Sequence, residues 1–403
     1  MADWLTACLE RCGERCSRTL WPVLPRLSRV AAMASLASLT GLAGCTRTSP
    51  PVTPPAPVHQ TLLVAAFPDY FGPQTLPSFS AKTGHRIELE VFSTNERLLA
   101  NLDARPYDVV FLSGYAVEHL IERGRVARML REHVPNLVQV PPMFRNPPQD
   151  PGLVHCIPYV WWVVGLSYLP PKIGHVHEPQ SLDAVFSAQG PEAVWLDDMR
   201  ATLGMALRKL GRSANTREPT DLAAAQHLLF AAAHRGVRLI DDPSELANRG
   251  TSFVGLAWSN DVFALFRKTP ELRFLIPKEG TLLYIDFACV LAQTKQAEAA
   301  FLFLNHLLEP GVSAEIANTQ LLPTVSESGY KLLDSEARWP WGVLESLRGH
   351  SGSYEPLRDV GDATLLYEKT WAQVLDKIKA ENARLEAQAA VRPRAPKKPK
   401  KQN

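Results

Sequence analysis

Residues 107–124, "YDVVFLSGYAVEHLIERG", pass from an apolar strand to a helix with only Ser-Gly between them. It is the third such step in the chain. "TLLVAAF", from residue 61, is an apolar strand, and "GPQTLPSFSAKTG" reads as a helix closed by Gly84. "RIELEVF" alternates with the period of two expected of a strand. "STNERLLANLDA" opens with Ser93 as a helix cap and Glu96 three residues on, a capping box. Three strand-to-helix steps in about 65 residues predict an α/β sheet whose strands are linked by crossover helices. Ligands of such sheets gather at the strand ends. Ser113 and Tyr115, at the mouth of the third turn, are therefore candidate contacts, although Ser-Gly before a helix is often only a cap.

The pattern then repeats. A loop-rich stretch with paired prolines, residues 134–152, precedes "HCIPYVWWVVGLSYL", which Pro158 and Gly165 interrupt and which reads as two strands with a crossing point. "EAVWLDD" is a strand, and "MRATLGMALRKLG" and "DLAAAQHLLFAAAHRG" are helices. "TSFVGLAWSND" is a strand with a polar end, "VFALFRK" a short helix, and "LRFLIP" a strand. "GTLLYIDFACVLAQ" crosses back, "KQAEAAFLFLNHLLEPGVSAEIANT" is helical, and "DATLLYEKTWAQVLDKIKAENARLEAQ" is a long amphipathic helix. Length alone suggests two or three domains. Two α/β lobes with two chain crossings predict a hinged clam with its ligand in the cleft.

The ends of the chain read differently. Five arginines fall within residues 11–29, followed by the small-residue run "VAAMASLASLTGLAGC", too short for a membrane span. Residues 1–44 are expected to be a signal peptide. Leu42-Ala43-Gly44-Cys45 resembles the lipobox of bacterial lipoproteins, which implies cleavage before Cys45 and acylation of its thiol. An ordinary secretory signal is the alternative. Residues 45–59 form a proline-rich linker, extended and semi-rigid. Removing the first 44 residues, with five arginines against three acids, takes the formal charge from +2 to zero. The tail from Arg392 holds six basic and no acidic residues, which leaves residues 45–391 at about −6. Such a body favours a cationic ligand and argues against nucleic acid. The basic tail, residues 389–403, is expected to be disordered. Cys8, Cys12 and Cys16 leave with the signal; Cys156 and Cys289 could pair in an oxidising compartment, but two buried free thiols are the expectation.

Enzyme signatures are missing. "GHSGS", residues 349–353, lacks the final glycine of a nucleophile elbow and follows no strand. There is no HExxH, P-loop or GxGxxG after a strand. His175 and His177 read as a surface loop. No catalytic residue, metal or cofactor is expected.

Acids and aromatics are expected to gather at strand ends: Asp198 after "AVWLD", Trp258 and Asp261 after "FVGLA", and Tyr284 and Asp286 on either side of Ile285. Each has a structural alternative: a helix cap for Asp198 and Asp261, plain core for Trp258, a cross-strand pair and turn acid for Tyr284 and Asp286. Aromatic faces attract ammonium groups and carboxylates bind them through charge-assisted hydrogen bonds, so the set suits a chain of methylenes carrying ammonium ends.

Seven segments in order, among them "YDVVFLSGYAVEHLIERG", "LDDMRATLGMALRKLGRSANT", "PKEG" and "NTQLLPT", resemble the polyamine-binding (spermidine/putrescine-type) substrate-binding proteins of bacterial ABC importers, over residues 62–380. The resemblance implies a two-lobed type II periplasmic-binding-protein fold with a hinge. Lobe 1 would take residues 60–160 and 287–322, and lobe 2 residues 161–286 and 323–388. It implies a periplasmic monomer, anchored through lipidated Cys45, that captures a polyamine and delivers it to an ABC permease in the inner membrane. Another small cationic or zwitterionic solute, or a sensor without transport, is the alternative. The implied ligand contacts are Phe67, Ser113, Tyr115, Asp198, Trp258, Asp261, Tyr284 and Asp286. The chain departs from the family pattern at three points. Phe67-Pro68 stands where Trp-Thr or Trp-Ser is usual, Ala201 replaces the second acid, and Leu322 replaces a tyrosine.

Overall fold

The structure is a computed structural model that describes residues 59–169, 178–190, 192–241, 245, 253–266, 268–338, 342–343, 347 and 354–391. The signal region, Cys45, the linker, His175, His177, the "GHSGS" loop and the tail from Arg392 lie outside the described residues.

The predicted alternation is present. Strands β1 (Thr61–Ala66), β2 (Arg86–Val91) and β3 (Val109–Ser113) are separated by helices α1 (Thr75–Thr83) and α2 (Asn95–Asn101), and α3 (Gly114–Glu122) follows directly. β1 pairs in parallel with both β2 and β3. Val109, Val110, Phe111 and Leu112 are all fully buried, as expected of a central strand, parallel to β1 and antiparallel to β9, that is covered on both faces. β2 is the sheet edge, and Leu89 and Val91 there are exposed. Gly84 ends α1 with φ 77°, a conformation glycine adopts at no steric cost. α2 is capped by Thr94, not Ser93: the Thr94 hydroxyl accepts from Arg97 N at 3.2 Å. Two adjacent hydroxyl residues offered the same cap, and the later one lies in register with the third N–H.

"HCIPYVWWVVGLSYL" forms one strand, β4 (Cys156–Leu169), instead of two. Pro158 is absorbed by a register shift between Pro158 and Val160. At Gly165 a Cβ would stand 2.6 Å from the Leu275 carbonyl oxygen, so the glycine permits a close strand approach. The second lobe follows with α4 (Asp183–Phe186), β5 (Ala193–Leu196), α5 (Met199–Lys209), α6 (Pro219–Ala233), β6 (Val237–Ile240), β7 (Phe253–Trp258), α7 (Ser259–Phe266) and β8 (Arg273–Leu275). β9 (Thr281–Val290) returns to the first lobe, where α8 (Ala297–Leu307) and α9 (Pro310–Gln320) complete it. β10 (Tyr354–Pro356) and α10 (Thr364–Val391) close the chain. The strand order is β2-β1-β3-β9-β4-β7-β5-β6, with β10 beside β9 and β8 beside β4.

Two separate cores define the lobes. One runs from Leu62 to Val163 and again from Leu283 to Leu347. The other runs from Val164 to Leu282 and from Leu357 to Ile378. β4 and β9 each therefore pass from one core to the other, and β10 is a third crossing beside β9. The expected last boundary, after residue 322, differs from this division: Val325, Leu333, Ala337 and Leu347 all pack in the first core. The chain stays with the first lobe because Thr324 bridges to Val160 on β4 and Glu327 N donates to Gln139 O.

Cys156 and Cys289 form a disulfide, which corrects the expectation of free thiols. They are direct partners in the antiparallel β4–β9 register, with Cα atoms 4.5 Å apart, at the short end of the range a disulfide spans.

Candidate ligand-binding site

The first wall of the site is built on the ends of β1 and β3. The turn after β1 carries Phe67, Pro68, Asp69 and Tyr70. Phe67 is half-buried and packs on the first core, 5.3 Å from the Tyr70 ring. Tyr70 is buried among Phe111 and Tyr159, and its hydroxyl donates to Asp286 Oδ2. Asp286, on β9, sits opposite Ser113 of β3 and Val160 of β4. It is 1% exposed, and Oδ1 has no partner in hydrogen-bonding geometry among the described residues. Burial pushes its carboxyl up to about 6, held back by the Tyr70 and Ser113 hydroxyls, which favour the charged form.

Ser113 and Tyr115 are held by one buried amide. Asn95 Nδ2 donates to Ser113 Oγ at 3.1 Å and to the Tyr115 hydroxyl at 2.9 Å, while its Oδ1 accepts from Ser113 N at 3.0 Å. The Tyr115 hydroxyl donates to Glu96 Oε1 at 3.0 Å. Burial, followed by the Glu96 carboxylate, raises the Tyr115 phenol. Ser113 stands at the α3 cap position but makes no side-chain cap bond, so its hydroxyl faces Asn95 and Asp286 instead.

The second wall lies at the ends of β5, β6 and β7. A recess of about 160 Å³ is lined by Asp197, Asp198, Asp241, Trp258 and Asp261. Asp198 caps α5, with Oδ1 accepting from Ala201 N at 2.7 Å, so its structural alternative is realised. Burial raises its carboxyl, opposed by the Ala201 and Arg200 N–H groups. Asp261 is in the first turn of α7 and accepts from Asn260 Nδ2 at 3.2 Å. Trp258 and Tyr284 meet edge to face, with centroids 4.6 Å apart, a favoured aromatic geometry. The Tyr284 hydroxyl is buried without a partner among the described residues; burial raises it well above the ordinary range, reinforced by the Asp198 charge. Tyr284 stands just past the β9 crossing yet packs on the second core. Its phenol lies within electrostatic reach of Asp198 in one lobe and Tyr115 in the other.

A larger groove, about 530 Å³, runs between β6 and α10. Its mixed lining of Arg235, Arg238, Lys379, Glu192 and Glu386 selects no ligand class. Among the described residues no group of three or more His, Cys, Asp or Glu could hold a metal, and no helix is long and apolar enough to cross a membrane.

Residues 74–335 match the family model of bacterial extracellular solute-binding proteins. The chain belongs to this family. The spermidine/putrescine-binding periplasmic protein of Salmonella typhimurium is 27% identical over 325 residues, covering 78% of this chain and 92% of that protein. The putrescine-binding periplasmic protein SpuD of Pseudomonas aeruginosa is 28% identical over 313 residues, covering 72% and 84%. Among solved structures, the spermidine/putrescine substrate-binding protein PotD of Streptococcus pneumoniae superposes with a TM-score of 0.69 at 21% identity, over 79% of this chain and 99% of that one. The two-lobed fold of these binding proteins is thus the fold of this chain.

In this solute-binding protein three of the eight expected contacts, Asp198, Trp258 and Asp261, line the second-lobe recess; Phe67, Ser113, Tyr115 and Asp286 lie in the first lobe around β1, β3 and β9, and Tyr284 packs against Trp258. Tyr70, Asn95, Asp197 and Asp241 were not singled out from the sequence. Asp241 had a readable signal, since it follows β6 as Asp197 follows β5. Of the departures, Ala201 is fully buried within α5, and Leu322 is half-buried on the first core.

Proposed function

We propose that the protein captures a polyamine in the periplasm and delivers it to an ABC permease, without chemistry on the ligand. The observation that carries this reading is Asp286, a buried carboxylate beside Tyr70 whose Oδ1 has no partner in hydrogen-bonding geometry among the described residues. An ammonium group supplies the charge and the donor this oxygen lacks. Phe67, Tyr115, Trp258 and Tyr284 offer faces to the methylenes, and Asp198 and Asp261 offer a second anionic pole on the other lobe. The names of the relatives support the same class of ligand. With Ala201 buried and Leu322 apolar, one terminal ammonium has fewer partners. A lost charge-assisted hydrogen bond is worth roughly 1.5–3 kcal/mol, one to two decades of affinity. The site therefore favours a short diamine over a longer polyamine.

Calorimetric titration with putrescine, cadaverine, spermidine and spermine tests this. Saturable binding, tightest for the diamines, is expected; folded protein that binds none of the four would exclude the reading. Cys45 is the proposed lipid attachment site, with the monomer held off the membrane by the proline linker. Cys45→Ser should move the protein from the membrane to the soluble fraction, and continued membrane association would remove the anchor.

A further inference from the structure

Residues 354–360 join the two lobes by more than the crossing of a strand. β10 runs parallel to β9, and Leu357 N donates to Leu283 O at 3.0 Å. On the side of the second lobe, the Glu355 carboxylate accepts from Ala214 N at 2.9 Å and Asn215 Nδ2 at 3.1 Å. Asn215 also donates to Pro356 O and accepts from Arg358 N, both at 2.9 Å. Arg200 donates through both Nη atoms to Arg358 O at 3.2 Å. On the side of the first lobe, Arg358 donates through Nε, at 3.2 Å, and through Nη2 to Glu118 Oε1, and Asp359 N donates to Glu118 Oε2 at 3.2 Å. Gln149 Nε2 reaches Leu357 O at 2.6 Å. Glu118 is 8% exposed.

The placement of these groups links them to the cleft. Glu118 is three residues beyond Tyr115 on α3, the helix that follows Ser113. Arg200 is the second residue of α5, the helix capped by Asp198. Arg358 thus lies between the two helices whose first turns carry ligand-facing residues of opposite lobes. A buried carboxylate stripped of such partners is strongly unfavourable. Hinge rotation must therefore pivot about this contact or break it.

Resting on the ligand-binding reading above, we propose that Arg358 is a positioning residue for ligand capture. By tying Glu118 of the first lobe to the Arg200 helix of the second, it sets the angle between the lobes. It thereby sets the fraction of molecules whose two walls face a ligand together. Apparent affinity scales with that fraction.

The test uses Arg358→Ala and Arg358→Lys in the full-length protein. Small-angle X-ray scattering is recorded without ligand, and calorimetry is run with putrescine and spermidine. Arg358→Ala should change the ligand-free scattering curve and weaken putrescine binding roughly three- to thirtyfold. Arg358→Lys should recover part of both. Adding Glu118→Gln to Arg358→Ala should produce no further loss, because the two act as one contact. A merely structural role would lower thermal stability while leaving the scattering of the folded protein unchanged. An unchanged scattering curve or an unchanged putrescine affinity in Arg358→Ala overturns the proposal. Should the unaltered protein bind neither amine, the ligand reading fails on its own, and the ligand-free scattering still decides whether Arg358 sets the lobe angle.

Discussion

Asp286 concentrates the chemistry of the proposed site in one side chain. Its carboxyl titrates near 6 instead of 3.8 because burial disfavours the charge. With the folded value raised, the ligand-free protein is less stable when Asp286 is ionised. It gains stability as pH falls from about 6 to about 4, and the gain is complete below the unfolded value. A bound ammonium reverses that preference. Binding then expels a proton below pH 6, and affinity falls with pH through that range by up to roughly tenfold per pH unit. Asp286→Asn should lose at least about a decade of putrescine affinity, flatten this pH profile, and leave the ligand-free melting temperature at pH 7 equal or higher; a full-strength profile in the variant would place the titration elsewhere. The acid was legible in the sequence as a candidate contact, but it was read at a strand end and lies in the interior of β9, and its partners were not legible. Tyr70 and Asn95 lie far from Asp286 and Ser113 in sequence, and only the folded sheet brings the ends of β1, α2 and β3 together.

At the scale of the element, α5 shows one residue doing two jobs. Asp198 satisfies an N–H at the start of the helix and also lines the recess of the second lobe. Asp198→Ala should cost about 1 kcal/mol of stability through the lost cap and at least a decade of affinity through the lost charge. Asp198→Ser separates these roles: the hydroxyl keeps the cap, so denaturant midpoints should match the parent while calorimetry shows the weaker binding. Retained affinity in the serine variant would leave Asp198 as a cap alone. Strand and helix types were legible from periodicity throughout this region, because apolar spacing records which face is buried. The continuity of β4 was not, since Pro158 and Gly165 normally end strands and only a bulge and a close neighbour, β8, accommodate them here.

For the molecule as a whole, the crossing strands are where stability and motion meet. The Cys156–Cys289 disulfide closes a loop of sequence separation 133 that contains the whole first segment of the second lobe. Replacing both cysteines by alanine should lower stability by roughly 2–4 kcal/mol in urea unfolding. Putrescine affinity should stay within about twofold, because the bond lies inside the first core and away from either wall. A large loss of affinity would mean that the disulfide holds the hinge itself. Two-lobed architecture was legible from the repeated α/β pattern. The pairing of the cysteines was not, because it depends on the β4–β9 register, and neither was the late return to the second lobe, because the residues after 322 carry too little periodicity to assign them to a core.

The interleaving of the two cores governs how this chain can acquire its structure during synthesis. The first core needs residues up to Leu347, and the second needs α10 near the carboxyl end. Neither lobe can therefore be finished while the polypeptide is still emerging, and the bridge from Cys156 must wait for Cys289, made 133 residues later. A chain wired in this way stays threadable until almost all of it exists.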